Sequence, residues 1–526
     1  MRSSFAILIA VYFVSAVMQT GSFAEQVAVV IDGTSDDWDG VSPAYSDTAG
    51  DGGGNGVDLG RMWVADDNRF LFLRVELGVE MDVSENNDLI LYLDTDDNSG
   101  TGLSIGGIGA ELEWRLGDRQ GTYRFGGSST SVSHDDIRFR SGPTVTALEF
   151  ELAFGRDTLP DGVHPLFLGP QVRILLIDTA GGDQLPDAGD TLAYTFDLDV
   201  LPPDTPIPLE RQQPGDMRII TYNVLNDSPW SSGLEPSFGA QFAAVSPDIL
   251  NFQEIRNHSV QDTIDLVATW VPLADGETWE GAGNNDVQTI SRFPIQDSWP
   301  VDGNMAVLID TGSVLQGSKL LIINVHLPCC SNDAGRRAEV DRILSFIREA
   351  KTPGGSLELD ADTPIIITGD TNFVGQVQQL TSVLTGDIIN ESLHGPDFVP
   401  DWDGSDLANL ISRQTEKRMA YTWRRDSSTF APGQLDYFIY TDSVLEVGNH
   451  YLLYTPEMSE EVLQAHNLLS SYSLASDHLL VCADFRTAGA PAGPVPTASQ
   501  WCVTVTVVCL LVLGTLVFRS RWPVTE

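Results

Sequence analysis

The sequence predicts two folded units of different class: an all-β sandwich over residues 25–200, and an α/β unit of two sheets packed face to face over residues 216–487. Three observations predict this. Short apolar runs between Gly, Asp and Asn turns fill the first stretch. Apolar strands alternate with helical spacing in the second, notably over Ala334 to Lys351, where Val340, Ile343, Leu344 and Ile347 share a face. Between the two, Leu201 to Gly215 carries Pro202, Pro203, Pro206, Pro208 and Pro214, which marks a linker or strand boundary. With 526 residues, 42% of them hydrophobic, the chain can bury such cores, and two or three domains are expected.

Charge narrows the function classes. Asp+Glu number 74 against 29 Lys+Arg, a formal net charge of −45. Holding a polynucleotide by phosphate neutralisation needs the opposite surplus. The only lysines are Lys319, Lys351 and Lys417, so Schiff-base and P-loop chemistry have few actors. The nearest P-loop look-alike, Gly312 to Lys319, has Ser318 where the lysine should stand.

Residues 1–24 read as a signal peptide: Arg2, an apolar run from Phe5 to Val17, then Ser22-Phe23-Ala24 as the cleavage pattern. An uncleaved membrane helix is the alternative. In the first module, strands are expected at Val27–Ile31, Phe70–Val75, Leu89–Leu93, Glu111–Leu116, Val145–Ala153 and Val172–Ile177. Leu148-Glu149-Phe150-Glu151-Leu152 alternates as a half-buried strand does. After Leu93, the side chains of Asp94, Asp96 and Asn98 offer oxygens at alternate positions, which suits Ca²⁺; a plain Asp/Asn turn is the alternative. Trp38, Trp63 and Trp114 could stack on sugar rings or fill the core.

In the second module, polar residues sit at the ends of apolar strands: Asn223, Glu254, His326, Asp370 with Asn372, Asp436, and Asp477 with His478. Carboxylate and amide oxygens of Asn223, Glu254 and Asp477 suit a hard divalent cation, which polarises a phosphoryl oxygen. His478, its tautomer fixed by Asp436, suits proton transfer near neutral pH. Asp370 and Asn372, two apart on an extended segment, should project to one side and orient a water. His326 can donate toward a phosphate or leaving oxygen.

Residues 488–500 are an Ala/Pro/Gly-rich tether, and Trp501 to Phe518 is an uncharged run about 27 Å long as a helix, enough to span a membrane. Arg519 and Arg521 place residues 519–526 inside. Of five cysteines, Cys502 and Cys509 lie in this run. Cys329 and Cys330 are adjacent. One of them could pair with Cys482, or Cys482 could be a small core residue.

Three resemblances add to these readings. Ile31-Asp32-Gly33, Asp37-Trp38 and Trp63-Val64-Ala65-Asp66-Asp67 resemble the family-nine-like carbohydrate-binding and DOMON-like sandwiches of secreted bacterial proteins. Val495 to Trp501, with its apolar span and Arg-rich end, resembles exosortase-type sorting tails, although Gln500 replaces the usual acid and Cys502 a common Gly. The second module resembles the endonuclease/exonuclease/phosphatase superfamily. The matching stretches are Thr221-Tyr-Asn223, Leu250-Asn-Phe-Gln-Glu254, Ser291-Arg-Phe-Pro-Ile295, Asn324-Val-His326-Leu, Gly369-Asp370-Thr-Asn372-Phe, Tyr421-Thr-Trp423, Leu435-Asp436-Tyr-Phe and Ser476-Asp477-His478. This resemblance implies a deoxyribonuclease-like four-layer α/β sandwich. It implies a Mg²⁺ (or Mn²⁺) site of Asn223, Glu254 and Asp477. Asp370 and Asn372 would position nucleophile and phosphate, His326 would contact phosphate, and His478 held by Asp436 would be the acid or base. Leu225 replaces an acid found in some family nucleases, and Pro272 to Asp286 lacks a basic groove-binding loop.

The expectation is an exported, membrane-anchored, metal-dependent phosphoric ester hydrolase, a phosphodiesterase or nuclease acting on extracellular DNA or RNA. Phospholipid or small-phosphoester hydrolysis is one alternative. A catalytically inactive surface protein that binds polysaccharide through its N-terminal module is another. The sequence gives no oligomeric state.

Overall fold

The computed structural model describes residues 28–197, 205–317, 319–355 and 357–489. The expected signal peptide, membrane span, sorting tail and cytoplasmic end lie outside the described residues. Among the described residues, no helix is long and apolar enough to cross a membrane.

The N-terminal module is two antiparallel sheets. One runs Tyr45–Ser46, Arg61–Asp66, Phe70–Met81, Ala147–Gly155, Arg140–Gly142 in spatial order. The other is built around Leu89–Asp94 and Gln171–Asp178 and holds seven strands. Strand alternation turns Leu71, Leu73 and Val75 toward Leu91, Leu93, Trp114 and Ile174, which form the sandwich core. Phe150 and Leu152 join that core, but a register shift between Ala147 and Glu149 leaves Leu148 on the surface. Five of the six expected runs form strands. Of the sixth, Val27–Ile31, the described residues 28–31 form no strand, and Ile31 makes an isolated bridge to Met419, in the other module. The Gln120–Phe125 and Ser128–Val132 hairpin was not anticipated, because its second strand, Ser-Ser-Thr-Ser-Val, carries no apolar run.

The second module is a four-layer α/β sandwich. Its first sheet runs Glu280–Asn284, Val287–Ser291, Ile249–Gln253, Met217–Asn223, Leu480–Thr487, Leu445–Leu453. Its second runs Ile295–Val301, Asn304–Asp310, Lys319–His326, Ile365–Asp370, Asp436–Tyr440, Ala408–Leu410. Ile219, Ile249 and Val287 of one sheet meet Val307, Ile322, Ile366 and Phe438 of the other. Alternate residues face outward. Ile220 and Tyr222 pack on Phe238, Phe242 and Val267 of one helical layer. Ile323 and Ile367 pack on Val340, Ile343, Leu344 and Ile347 of the opposite layer.

Each sheet holds one parallel pair, Met217–Asn223 with Ile249–Gln253 and Lys319–His326 with Ile365–Asp370. A parallel pair needs a crossover, which the helices Glu235–Val245 and Asp333–Lys351 supply. Both C-terminal ends of each pair therefore reach the same edge. Below that edge the sheets are joined by buried amides: Gln253 Nε2 donates to Asn324 Oδ1 at 2.7 Å, and Asn324 Nδ2 donates to Phe252 O at 3.2 Å and Gln288 O at 3.1 Å.

The modules share no sheet, yet their cores touch. Trp38, Trp63, Phe72 and Ala153 of the sandwich join Met419 and Tyr421 in one buried cluster. Trp38, Trp63 and Trp114 are all buried, so none presents a ring for sugar stacking. Cys482 is a core residue, and Cys329 and Cys330 are exposed free thiols, so no pairing with Cys482 forms.

Candidate active site

Strand parity decides which side chains meet. Along Met217–Asn223, Ile219 and Thr221 face the opposite sheet, and so does Asn223 at the end. Ile322 and Asn324 set the same parity for His326, Ile366 and Thr368 for Asp370, and Phe438 for Asp436. These four polar ends thus emerge between the sheets at one edge. Register fixes them further: His326 stands opposite Asp370, and Asp370 opposite Asp436.

Buried Asn223 is the hub. Its Nδ2 donates to Asp370 Oδ2 at 2.9 Å and to Glu254 Oε1 at 3.3 Å, and its Oδ1 accepts the Leu225 N–H at 3.0 Å. By parity Glu254 should turn away from the site. A left-handed backbone at Glu254 (φ 66°) instead brings it in, where Oε2 accepts the Asn226 N–H at 2.9 Å. Leu225, Asn226 and Asp227 are left-handed as well (φ 53°, 51° and 59°). A non-glycine residue held there carries strain of order 1–3 kcal/mol, here concentrated beside the site.

On the far side of Asp370 stand two imidazoles. His326 Nε2 and His478 Nε2 are each 3.6 Å from Asp370 Oδ2. His478 Nδ1 pairs with Asp436 Oδ2 at 2.8 Å, and His326 Nδ1 pairs with Asp286 Oδ2 at 3.1 Å. Burial opposes charge on His478, but Asp436 and Asp370 overcome it and push its pKa up to about 10. His326 is raised too: burial works against it, and the Asp286 hydrogen bond and the charges of Asp370, Asp286 and Glu254 prevail. Burial drives the Asp370 carboxyl upward, opposed by His478, His326 and the Asn223 amide.

Asn372 corrects the expectation of an extended segment. Its φ is 49°, and its Nδ2 donates to Leu327 O at 3.0 Å while its N–H caps Asp370 Oδ1 at 3.1 Å. Its side chain therefore ties to the backbone directly after His326. Asp477 lies next to His478, and its Oδ2 is 3.4 Å from Trp423 Nε1. Two contributors escaped sequence reasoning. Asp286, at the end of the acidic Pro272 to Asp286 stretch, partners His326. Thr422 Oγ1 accepts the N–H groups of Leu435 and Asp436 at 2.8 and 2.9 Å and so places the Asp436 strand. Asp286 had a signal, an acid in a turn between two short strands. Thr422 lay inside the Tyr421-Thr-Trp423 match, but nothing in the sequence tied its hydroxyl to the Asp436 strand.

Of the three expected cation ligands, Glu254 and Asn223 meet, with Asn223 Nδ2 toward the carboxylates and Oδ1 on the Leu225 N–H, while Asp477 holds a separate part-exposed carboxylate beside His478. The carboxylates of Glu254 and Asp477 are hard oxygen donors of the kind Mg²⁺ or Mn²⁺ takes. Deeper in, ligand atoms of Asp370, Asp436 and His478 lie within 4.8 Å of one another, and Asp436 Oδ1 is buried with no hydrogen-bond partner among the described residues. A second convergence sits in the N-terminal sandwich. Asp94, Asp96 and Glu111 bring carboxylate oxygens within 4.8 Å of one another. Asn98, expected as the third ligand, instead accepts the Gly100 N–H at 3.0 Å, and Glu111 takes its place.

No family model matches the chain, and no curated protein matches it. Solved structures do. The human Nocturnin catalytic domain with bound sulfate is 16% identical with a TM-score of 0.35, over 52% of this chain and 95% of that one. ANGEL2, a 2′,3′-cyclic phosphatase, in complex with adenosine-2′,3′-vanadate is 16% identical with a TM-score of 0.37, over 51% and 95%. A Staphylococcus aureus beta toxin variant with bound magnesium ions is 16% identical with a TM-score of 0.26, over 51% and 99%. These likenesses are too slight to carry any residue across. The chemistry of the site rests on the side chains above.

Proposed function

We propose that the second module is a divalent-metal-dependent phosphoesterase, a phosphodiesterase acting on nucleic acid outside the cell. One observation carries the reading: Glu254, Asn223, Asp370, His478 and Asp436, from separate strand ends, form an unbroken chain of contacts, and His326 reaches the same Asp370 oxygen. Asn223, Glu254 and Asp477 would hold Mg²⁺ or Mn²⁺, which supplies charge opposite a phosphoryl oxygen. Asp370 orients the attacking water. His478, its Nδ1 fixed by Asp436, holds or moves a proton at Nε2. His326, its Nδ1 paired with Asp286, directs Nε2 toward a phosphate oxygen. The −45 charge disfavours tight duplex binding. Export and anchoring through residues 1–24 and 501–518 belong to the same proposal.

Asp370→Ala and His478→Ala should each cut hydrolysis of bis(4-nitrophenyl) phosphate with Mg²⁺ by about a thousandfold or more. EDTA should abolish the wild-type rate and excess Mg²⁺ restore it. Full activity in both variants would sink the reading. A panel of plasmid, single-stranded DNA, RNA and phospholipid then fixes the substrate.

We also propose Ca²⁺ at Asp94, Asp96 and Glu111. Glu111 is 2% exposed and its Oε1 has no hydrogen-bond partner among the described residues. A buried carboxylate oxygen left without a donor needs a cation or a proton. Calcium should raise the melting temperature of the wild type in a concentration-dependent way and leave Glu111→Gln unmoved. Equal shifts in both proteins would count against the site.

A further inference from the structure

We propose that the N-terminal sandwich is a working part of the active site: its turn at residues 142–146 positions the loops carrying Asp370, Asn372 and Asp436, and Thr144 is the positioning residue. This rests on the phosphoesterase reading above. Thr144 Oγ1 lies 3.1 Å from Phe373 O and 2.9 Å from Gln434 O, sharing its one proton between them. Phe373 directly follows Asn372, and Gln434 stands two residues before Asp436. A single hydroxyl from the other module thus ties both loops.

The neighbours of Thr144 extend the tie. Thr146 N–H donates to Gly375 O at 2.6 Å, Val377 N–H donates to Thr146 Oγ1 at 3.0 Å, and Val145 bridges Gly375 in parallel. Val145 is buried in the same core as Phe373, Leu327 and Tyr437. Gly433 permits the approach, since a Cβ there would lie 2.4 Å from Thr144 Cγ2. The loop so held has little regular structure of its own. It leaves its strand at Asp370 and turns left-handed at Asn372 (φ 49°) and Gly375 (φ 75°). Ties within the second module hold these loops from one side: Thr371 N–H and hydroxyl both donate to Leu435 O at 2.9 Å, Arg336 Nη2 donates to Val374 O at 2.8 Å, and Thr422 Oγ1 accepts the N–H groups of Leu435 and Asp436. The sandwich adds the hold from the other side, where Thr144 joins the two loops through one hydroxyl. An error of about 1 Å in such loops costs on the order of a hundredfold in rate.

Other seam contacts do not involve Thr144. Ile31 N–H donates to Arg418 O, Ala420 N–H donates to Ile31 O, and His134 Nε2 is 3.0 Å from Ser428 O. A change at Thr144 therefore leaves the modules docked. The test uses the full chain with Thr144→Val, which removes the hydroxyl at nearly equal volume, and Thr144→Ser, which keeps it. With Mg²⁺ and bis(4-nitrophenyl) phosphate, the valine variant should lose about tenfold or more in kcat with KM within about twofold, and serine should restore kcat. Hydrogen exchange should quicken at residues 371–376 and 434–436 in the valine variant only, with the sheet strands unchanged. Wild-type kcat in Thr144→Val, or unchanged exchange in both loops, overturns the proposal. If the wild type itself hydrolyses nothing, the phosphoesterase reading has failed, and the exchange result alone decides whether Thr144 positions the loops.

Discussion

At the scale of single residues, the site is a problem of charge placed out of water. Asp370, Asp436 and His478 are all buried, and a buried charge survives only when paired. The short His478–Asp436 contact supplies that pairing and fixes which imidazole nitrogen faces the reacting centre. Asp436→Asn keeps the shape but removes the charge. It should lower kcat by about a hundredfold or more and shift the pH–rate profile toward acid, because His478 loses the partner that raises its pKa. A profile superimposable on the wild type would show that Asp436 does not act through His478. The residue types were legible in the sequence. The pairing between positions 436 and 478 was anticipated from chemistry, an imidazole needing a carboxylate to fix its tautomer, and family resemblance supported it, whereas nothing in local spacing joins residues 42 apart.

At the scale of elements, strand periodicity explains most of what the sequence foretold and also where it failed. Alternation carries Asn223, His326, Asp370 and Asp436 onto the face between the sheets. It misplaces Glu254 and Asn372, because the backbone there leaves the extended region for the left-handed one. The acidic loop after Tyr45–Ser46 shows a second element-level effect. Asp47, Asp51 and Asp183 converge, and neither Asp47 carboxylate oxygen has a hydrogen-bond partner among the described residues. Burial, then the charges of Asp187, Asp183 and Asp51, push Asp47 up to about 7. An acid whose folded pKa is raised binds its proton more tightly in the folded state. Its stabilising effect is complete below the unfolded value near 3.8 and is lost as pH rises through about 7. Melting temperatures of wild type and Asp47→Asn, followed from pH 4 to pH 8, should show the wild type losing ground across that window. Parallel curves would mean that Asp47 titrates as an ordinary surface acid.

At the scale of the whole molecule, the two modules are distinct in topology and continuous in packing. Trp38, Trp63 and Phe72 leave the outer face of the sandwich for a cluster shared with Met419 and Tyr421, and Val145 enters the core beneath the second sheet. Unfolding the sandwich would expose those second-module surfaces to water, at a cost of about 25 cal/mol per Å² of apolar area. Calorimetry of the full chain should therefore give one cooperative transition. Two well-separated transitions would mean that the seam contributes little.

The sequence by itself determined the classes of both modules, the central strands of the α/β unit with its helix over Asp333–Lys351, and the polar residues at the strand ends, because these follow from local periodicity that each segment carries alone. Only the tertiary structure decided that Glu254 turns inward, that Asn372 ties to a neighbouring loop, that Glu111 rather than Asn98 meets Asp94 and Asp96, and that a sandwich threonine joins the loops carrying Asp370 and Asp436. Each of these depends on backbone torsions and contacts between segments far apart in the chain, where no short-range pattern records which surfaces will meet.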